Sequence, residues 1–286
     1  MLQSLKDTIL ESTGTKAAIR QAMMSPAGLR IVWVVVEAEM DVAVYEKFMC
    51  PDSTVVKTSE GTTGGKGYAN VERIVREIKE EVPVAHILGI RDADYSRYEE
   101  GFTSPCNIFL TDRRDLEMTL LEAESVQQVL RSWAPGYDAA MAQCIPVCRY
   151  FGYLRIYNEV ADLSAVFHKN LRPAKYWDYN QHCILNGWEQ DSTAKFVALA
   201  GGKCSAADVS TFITTHSLED ESLYDICRGH DLLKLLSQAL IYIQYKVENI
   251  VAKMIESYSI DDFKTTRLYA SIQAWQVTEG VTALAA

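Results

Sequence analysis

The chain has 286 residues, 48% of them apolar and 23% charged, the balance of an ordinary globular protein rather than a disordered one. Lys plus Arg number 28 against 38 Asp plus Glu, so the formal net charge is −10 and the chain as a whole does not attract polyanions. No apolar run approaches the roughly 20 residues of a membrane span. The start, Met1 to Asp7, is polar and amphipathic, and seven cysteines, an odd number in mostly apolar surroundings, point to reduced thiols. Together these features predict a cytoplasmic protein without membrane contact.

The first strong element is Ile31-Val32-Trp33-Val34-Val35-Val36, too short for a buried helix and rich in β-branched residues. It reads as a strand covered on both faces, the kind found in parallel α/β sheets. The run ends in Glu37, with Asp41 four residues on, about one turn into any helix that starts there. Ser53 to Thr58 predicts a second strand. The loop Glu60 to Gly67 follows, with four glycines and Lys66, and Asn70 to Ile78 has the spacing of an amphipathic helix. Glycines let backbone amides approach a phosphate, and Lys66 adds a charge. Gly67 after Lys66 excludes a P-loop.

Ala85 to Ile90 predicts another buried strand, running into Arg91-Asp92-Ala93-Asp94. If that strand continues, Asp92 and Asp94 point to one side. Carboxylates at the carboxyl ends of parallel strands lie at the edge where open α/β sheets bind ligands, and converging oxygens suit a hard cation such as Mg²⁺. The alternative is that these acids only cap helices and turns. Pro105 to Leu110 predicts one more strand, followed by a helix opened by Thr111-Asp112-Arg113-Arg114-Asp115-Leu116-Glu117. Asp112 and Asp115 have capping spacing, and Glu117, one turn inside, is the better ligand. Lys57, Lys66, Arg91, Arg97, Arg113 and Arg114 are the basic groups expected near the acidic edge.

Beyond about residue 125 the apolar residues recur at helical spacing, most clearly over Leu232 to Ile243 and Val247 to Ile255. Pro135-Gly136 and Gly201-Gly202 read as turns. Cys144 and Cys148 with His168, His182 and Cys183 form only a weak zinc pattern, and buried thiols are the simpler reading. Arg228-Gly229-His230-Asp231 at a helix start would present Arg228, His230 and Lys234 to a phosphate, with Asp231 as cap; a plain turn before a core helix is the alternative. Tyr176, Trp177, Tyr179, Trp188 and Trp275 are too dispersed for a base-stacking platform.

An apolar strand ending in Glu37 with Asp41 beyond it, a strand ending in Asp92-Ala93-Asp94, and a later helix with Asp115-Leu116-Glu117 together resemble the Toprim domain of topoisomerases, primases and OLD-type nucleases. The resemblance implies an α/β, Rossmann-like parallel sheet with flanking helices over residues 1–125. A mainly helical part over 126–286, for substrate, dimer or partner contacts, would pack on it. It implies a Mg²⁺- or Mn²⁺-dependent nuclease with Glu37, Asp41, Asp92, Asp94 and Glu117 as metal ligands. Glu37, Asp92, Asp94 and Lys66 would be catalytic, and Arg91, Arg228, His230 and Lys234 would contact substrate. The Gly229-His230-Asp231 helix start and helical rear resemble Toprim effectors of PARIS-type anti-phage systems. That implies a toxic effector acting on RNA such as tRNA, or on DNA, controlled by an ABC-type ATPase partner and dimeric when active. One departure is Ala38, where the family commonly has glycine after the first glutamate. Two other readings stand beside this one: a catalytically inert Toprim-like interaction subunit, and a nucleotide-sugar transferase using Asp92-Ala93-Asp94.

Overall fold

A computed structural model of the chain describes residues 14–59, 67–99, 101–167, 171–240 and 245–285. The glycine-rich loop with Lys66, His168 and the segment 241–244 lie outside the described residues. The internal contacts divide the chain into two units. A sheet unit holds the described residues up to Asp92, Thr103–Asp112 and those from Ile260 on; a helical unit holds Ala93–Phe102 and Arg113–Ser259.

In the sheet unit, the apolar runs form four strands: β1 (Val32–Val36), β2 (Thr54–Thr58), β3 (Ile87–Arg91) and β4 (Ile108–Leu110). All pair in parallel, in the order β2-β1-β3-β4. Every residue of β1 and β3 is buried, which is why both read as unbroken apolar runs rather than as alternating patterns. Between them come helices α1 (Thr15–Met23, before β1), α2 (Glu39–Tyr45) and α3 (Gly67–Glu81). The chain moves from β1 to β2 through α2, then returns past β1 to β3 through α3. Right-handed crossovers in opposite directions put α2 and α3 on opposite faces. Ile19, Met23, Trp33, Val35, Val71, Ile74 and Ile78 share one buried cluster, so Trp33 and Val35 look toward α1 and α3.

Gly89 shows how closely that face is packed. A Cβ there would lie 2.6 Å from Val71 Cγ1 and 2.8 Å from Ile108 Cδ1. Gly89→Ala should therefore cost about 1–3 kcal/mol through overpacking. Urea denaturation measures this, and an unchanged midpoint would mean that α3 can move off the sheet.

The same unit is completed by two helices late in the chain, α12 (Ile260–Lys264) and α13 (Arg267–Glu279). Phe263 stacks on Phe48 at 4.7 Å, and Trp275 Nε1 donates to Asn107 Oδ1 at 3.1 Å. Beyond α13 the backbone runs beside residues 48–54: Ser53 Oγ and Thr54 Oγ1 donate to the carbonyls of Thr282 and Ala283, and Ala285 N–H donates to the Phe48 carbonyl.

The helical unit contains α4 (Leu116–Glu122), α5 (Glu124–Trp133), α6 (Tyr137–Val160), α7 (Trp188–Leu199), α8 (Ala206–Thr215), α9 (Leu223–Ile226), α10 (Gly229–Ala239) and α11 (Val247–Ser257). A short antiparallel pair, β5 (Trp177–Asp178) with β6 (Cys183–Ile184), completes it. α6 is its spine, with α7, α8, α9 and α10 packed on it, and α11 lies on α5. Pro135-Gly136 and Gly201-Gly202 are turns, with all three glycines at positive φ, where a side chain is strained. Among the described residues no helix is long and apolar enough to cross a membrane.

The expected boundary near residue 125 and the division by contacts differ. Residues 93–102 and 113–125 pack with the helical unit, and the residues from Ile260 on pack with the sheet. The physical reason for the second difference is the register of 282–285 against 48–54 and the insertion of Phe263 against Phe48.

Candidate functional site

The reversal of strand order between β2-β1 and β3-β4 makes the carboxyl ends of β1 and β3 a topological switch point, where open α/β sheets leave a crevice for ligands. Glu37 follows β1 and Asp92 follows β3. The two meet: Glu37 Oε1 accepts the Asp92 N–H at 2.9 Å. The Glu37 backbone is fixed too, since its carbonyl accepts from Thr58 Oγ1 at 3.1 Å at the end of β2. Glu37 Oε2 lies against the first residue of α3. A Cβ on Gly67 would sit 2.5 Å from that oxygen, so glycine is what leaves the carboxylate its place. A carboxylate at a helix N-terminus is stabilised by the amide dipoles there.

Asp41 is buried in the first turn of α2, and its Oδ2 accepts the Ala38 N–H at 2.8 Å. Asp41 thereby caps the start of α2. Asp94 does not continue β3. The strand ends at Arg91, and Asp94 adopts φ of +45°, the left-handed turn conformation that Asp tolerates better than most residues. The expectation that Asp92 and Asp94 point to one side of a continuing strand therefore fails. Asp94 belongs to the helical unit, where Oδ1 accepts from Arg114 Nη2 at 3.3 Å and its N–H donates to the Arg114 carbonyl.

In the helical unit, Asp115 is the organising residue. Its Oδ1 accepts the Met118 N–H at 3.0 Å, capping α4, and its Oδ2 accepts the Gly229 N–H at 2.9 Å at the start of α10. Arg114 Nη1 lies on the same carboxylate at 2.8 Å, and the guanidinium also stacks on Tyr95, 4.4 Å from the ring centre. Burial pushes the Asp115 carboxyl above the ordinary carboxylate range, against Arg114 and the two backbone N–H groups that hold it ionised. Glu117 stands beside this cluster: a Cβ on Gly229 would meet Glu117 Cβ at 2.4 Å. Asp112 caps a different helix, accepting the N–H groups of Arg267 and Leu268 at the start of α13. Nothing in the sequence signals that partner, 155 residues away.

Most of the expected basic groups already hold acids. Arg91 is buried, pairs with Glu72 at 2.9 Å and stacks on Tyr68. Arg97 and Arg113 both bind Asp225, and Arg113 also grips Glu122. Lys57 is half-buried, and desolvation lowers its pKa, opposed by Glu46 and Glu39. By contrast Arg228, His230 and Lys234 are exposed. His230 and Lys234, four apart on α10, share a face. Asp231 does not cap α10; it is buried and accepts from Arg155 at 2.7 Å. Cys144 and Cys148 are buried free thiols, and desolvation pushes Cys144 up to about 12.

No family model and no curated protein matches the chain. Among the described residues, no group of three or more His, Cys, Asp or Glu side chains forms a metal cluster. At the ends of the adjacent strands β1 and β3 the structure joins two acids, through the Asp92 N–H on Glu37 Oε1; Mg²⁺ is an ion commonly held by only one or two carboxylates, with waters and substrate phosphate completing its shell.

Proposed function

We propose that the chain is a Mg²⁺- or Mn²⁺-dependent nuclease of Toprim type. The observation that carries this reading is the junction of Glu37 and Asp92 at the β1/β3 switch point, beside a glycine whose missing side chain leaves room for the carboxylate. Glu37 and Asp92 would hold the ion; Asp41, Asp94 and Glu117 rest on the sequence resemblance alone. When bound, the ion supplies a Lewis acid for phosphoryl oxygens and a more acidic water. Glu37 keeps its carboxylate oriented through the Asp92 N–H, and Lys66 belongs to the proposal as the charge in the glycine-rich loop of the sequence. Arg228, His230 and Lys234, exposed at the start of α10, belong to the proposal as phosphate contacts from the sequence reading, and Arg91 is engaged by Glu72. The substrate is RNA such as tRNA, or DNA. The resemblance further supports a toxic anti-phage effector, dimeric when active and restrained by an ABC-type ATPase.

A second reading, a Toprim-like interaction subunit without catalysis, is favoured by the lack of a three-acid cluster among the described residues. One experiment separates them. Wild-type protein with Mg²⁺ should cleave labelled RNA or DNA, and Glu37→Gln should lower the rate by about 100-fold or more, the scale of losing a metal ligand's share of charge stabilisation. Glutamine keeps an acceptor for the Asp92 N–H and gives up only the carboxylate's interaction with the start of α3, so its melting temperature without metal should fall by no more than about 4 °C. Gly67→Ala should lower activity with little effect on melting, because the displaced atom is the end of the Glu37 side chain. Failure of the wild type to cut with either cation, with and without the ATPase, selects the inert subunit.

A further inference from the structure

The helical unit carries an open groove of about 580 Å³, walled by α6, α7 and α8, that the proposed nuclease chemistry does not use. Its volume lies within the ordinary range of ligand sites. Tyr150, Tyr153 and Trp188 supply aromatic walls, with Trp188 edge-on to Tyr150 at 5.6 Å between ring centres. Arg149 is the one cation among the lining residues, and its guanidinium is already anchored: Nε donates to Tyr153 Oη at 2.7 Å and Nη2 donates to the carbonyls of Glu219 and Glu221. The lining acids are Glu189 and Glu219, both exposed.

These groups sort the possible ligands. An anion would face two carboxylates against the single charge of Arg149, whose donors are spent on neutral acceptors. A neutral apolar group would gain the aromatic contact only. A cation gains the aromatic lining together with the two carboxylates, which outnumber Arg149. We propose that this groove docks a basic peptide segment of a partner protein, seating a Lys or Arg side chain against Tyr150 and Trp188 with Glu189 and Glu219 as counter-charges. A peptide rather than a small free cation is indicated because the groove is several times larger than one ammonium or guanidinium group and has polar positions along it, Gln190 and Ser210 among them, for flanking backbone. The chain's net charge of −10 favours the encounter.

The test uses the full chain and calorimetry with four probes: a blocked Gly-Lys-Arg-Lys-Gly peptide, its Gly-Gln-Gln-Gln-Gly counterpart, spermidine, and a ten-residue oligothymidylate. The basic peptide should bind at least about tenfold more tightly than the glutamine peptide and than spermidine, and more weakly as salt rises. Glu189→Gln with Glu219→Gln, both at exposed positions, should weaken the peptide by about tenfold at an unchanged melting temperature. Glu37→Gln should bind the peptide as wild type does, which separates this site from the nuclease reading. Equal binding of the two peptides, spermidine matching the basic peptide, oligothymidylate titrated without peptide and binding with an affinity that the double substitution changes, or indifference of the peptide to the double substitution would each overturn the proposal.

Discussion

Asp115→Ala should destabilise the protein by about 3–5 kcal/mol, the range found when one member of a buried ion pair is removed. The Asp115 carboxylate and the Arg114 side chain are each only 6% exposed, so the guanidinium would be left in a nearly dry site with Asp94 at 3.3 Å as its remaining acid. Two helix starts would also lose their acceptor, the Met118 N–H of α4 and the Gly229 N–H of α10, at about 1 kcal/mol for a typical cap. Against a typical total of about 5–15 kcal/mol this is a large fraction. Chemical denaturation monitored by circular dichroism measures it. A loss below about 1 kcal/mol would mean that Arg114 turns to Asp94 and that neither helix needs the cap.

Gly152→Ala in α6 sets two effects of opposite sign against each other. Alanine improves helix propensity by about 1 kcal/mol over glycine in a helix interior. The new Cβ, however, would lie 2.4 Å from the Ile226 carbonyl oxygen and 2.9 Å from its carbonyl carbon, and backbone atoms cannot swing aside as a side-chain tip can. Overpacking should win, with a net loss near 3 kcal/mol, the upper end of ordinary core insertions. Thermal melting of the variant beside wild type measures the net effect, and an unchanged or raised midpoint would mean that the Ile226 backbone can move away from α6.

The strands were legible because burial on both faces writes itself into composition: the runs ending at Glu37 and Arg91 became β1 and β3, fully buried. The junction of Glu37 with Asp92 followed from the same reasoning, since adjacent parallel strands bring their carboxyl ends together. Asp94 was misread because Asp-x-Asp looks the same in a strand and in a left-handed turn, and only the end of β3 at Arg91 decides between them. The acids that hold the arginines were hidden for another reason. Asp225, which holds Arg97 and Arg113, lies more than 100 residues beyond both, and no local pattern reveals such a pairing. The 24-residue α6 was hidden by Pro146 and Gly152, residues that ordinarily interrupt helices. Gly152 is there because α6 passes close to the Ile226 backbone, a tertiary cause invisible in the pattern.

The return of residues 282–285 to lie beside 48–54 bears on how the protein is born. A ribosome delivers the chain in order, and domains generally fold as they emerge. Here the sheet unit begins first and is completed last, because its remaining helices and the segment beside β2 follow the whole of Arg113–Ser259. While that stretch is being made, the nascent sheet lacks Phe263 against Phe48, leaving apolar surface uncovered. The vulnerable interval is therefore set by translation speed, and slowing synthesis across the helical unit lengthens the time during which the unfinished sheet can meet a chaperone or another nascent chain.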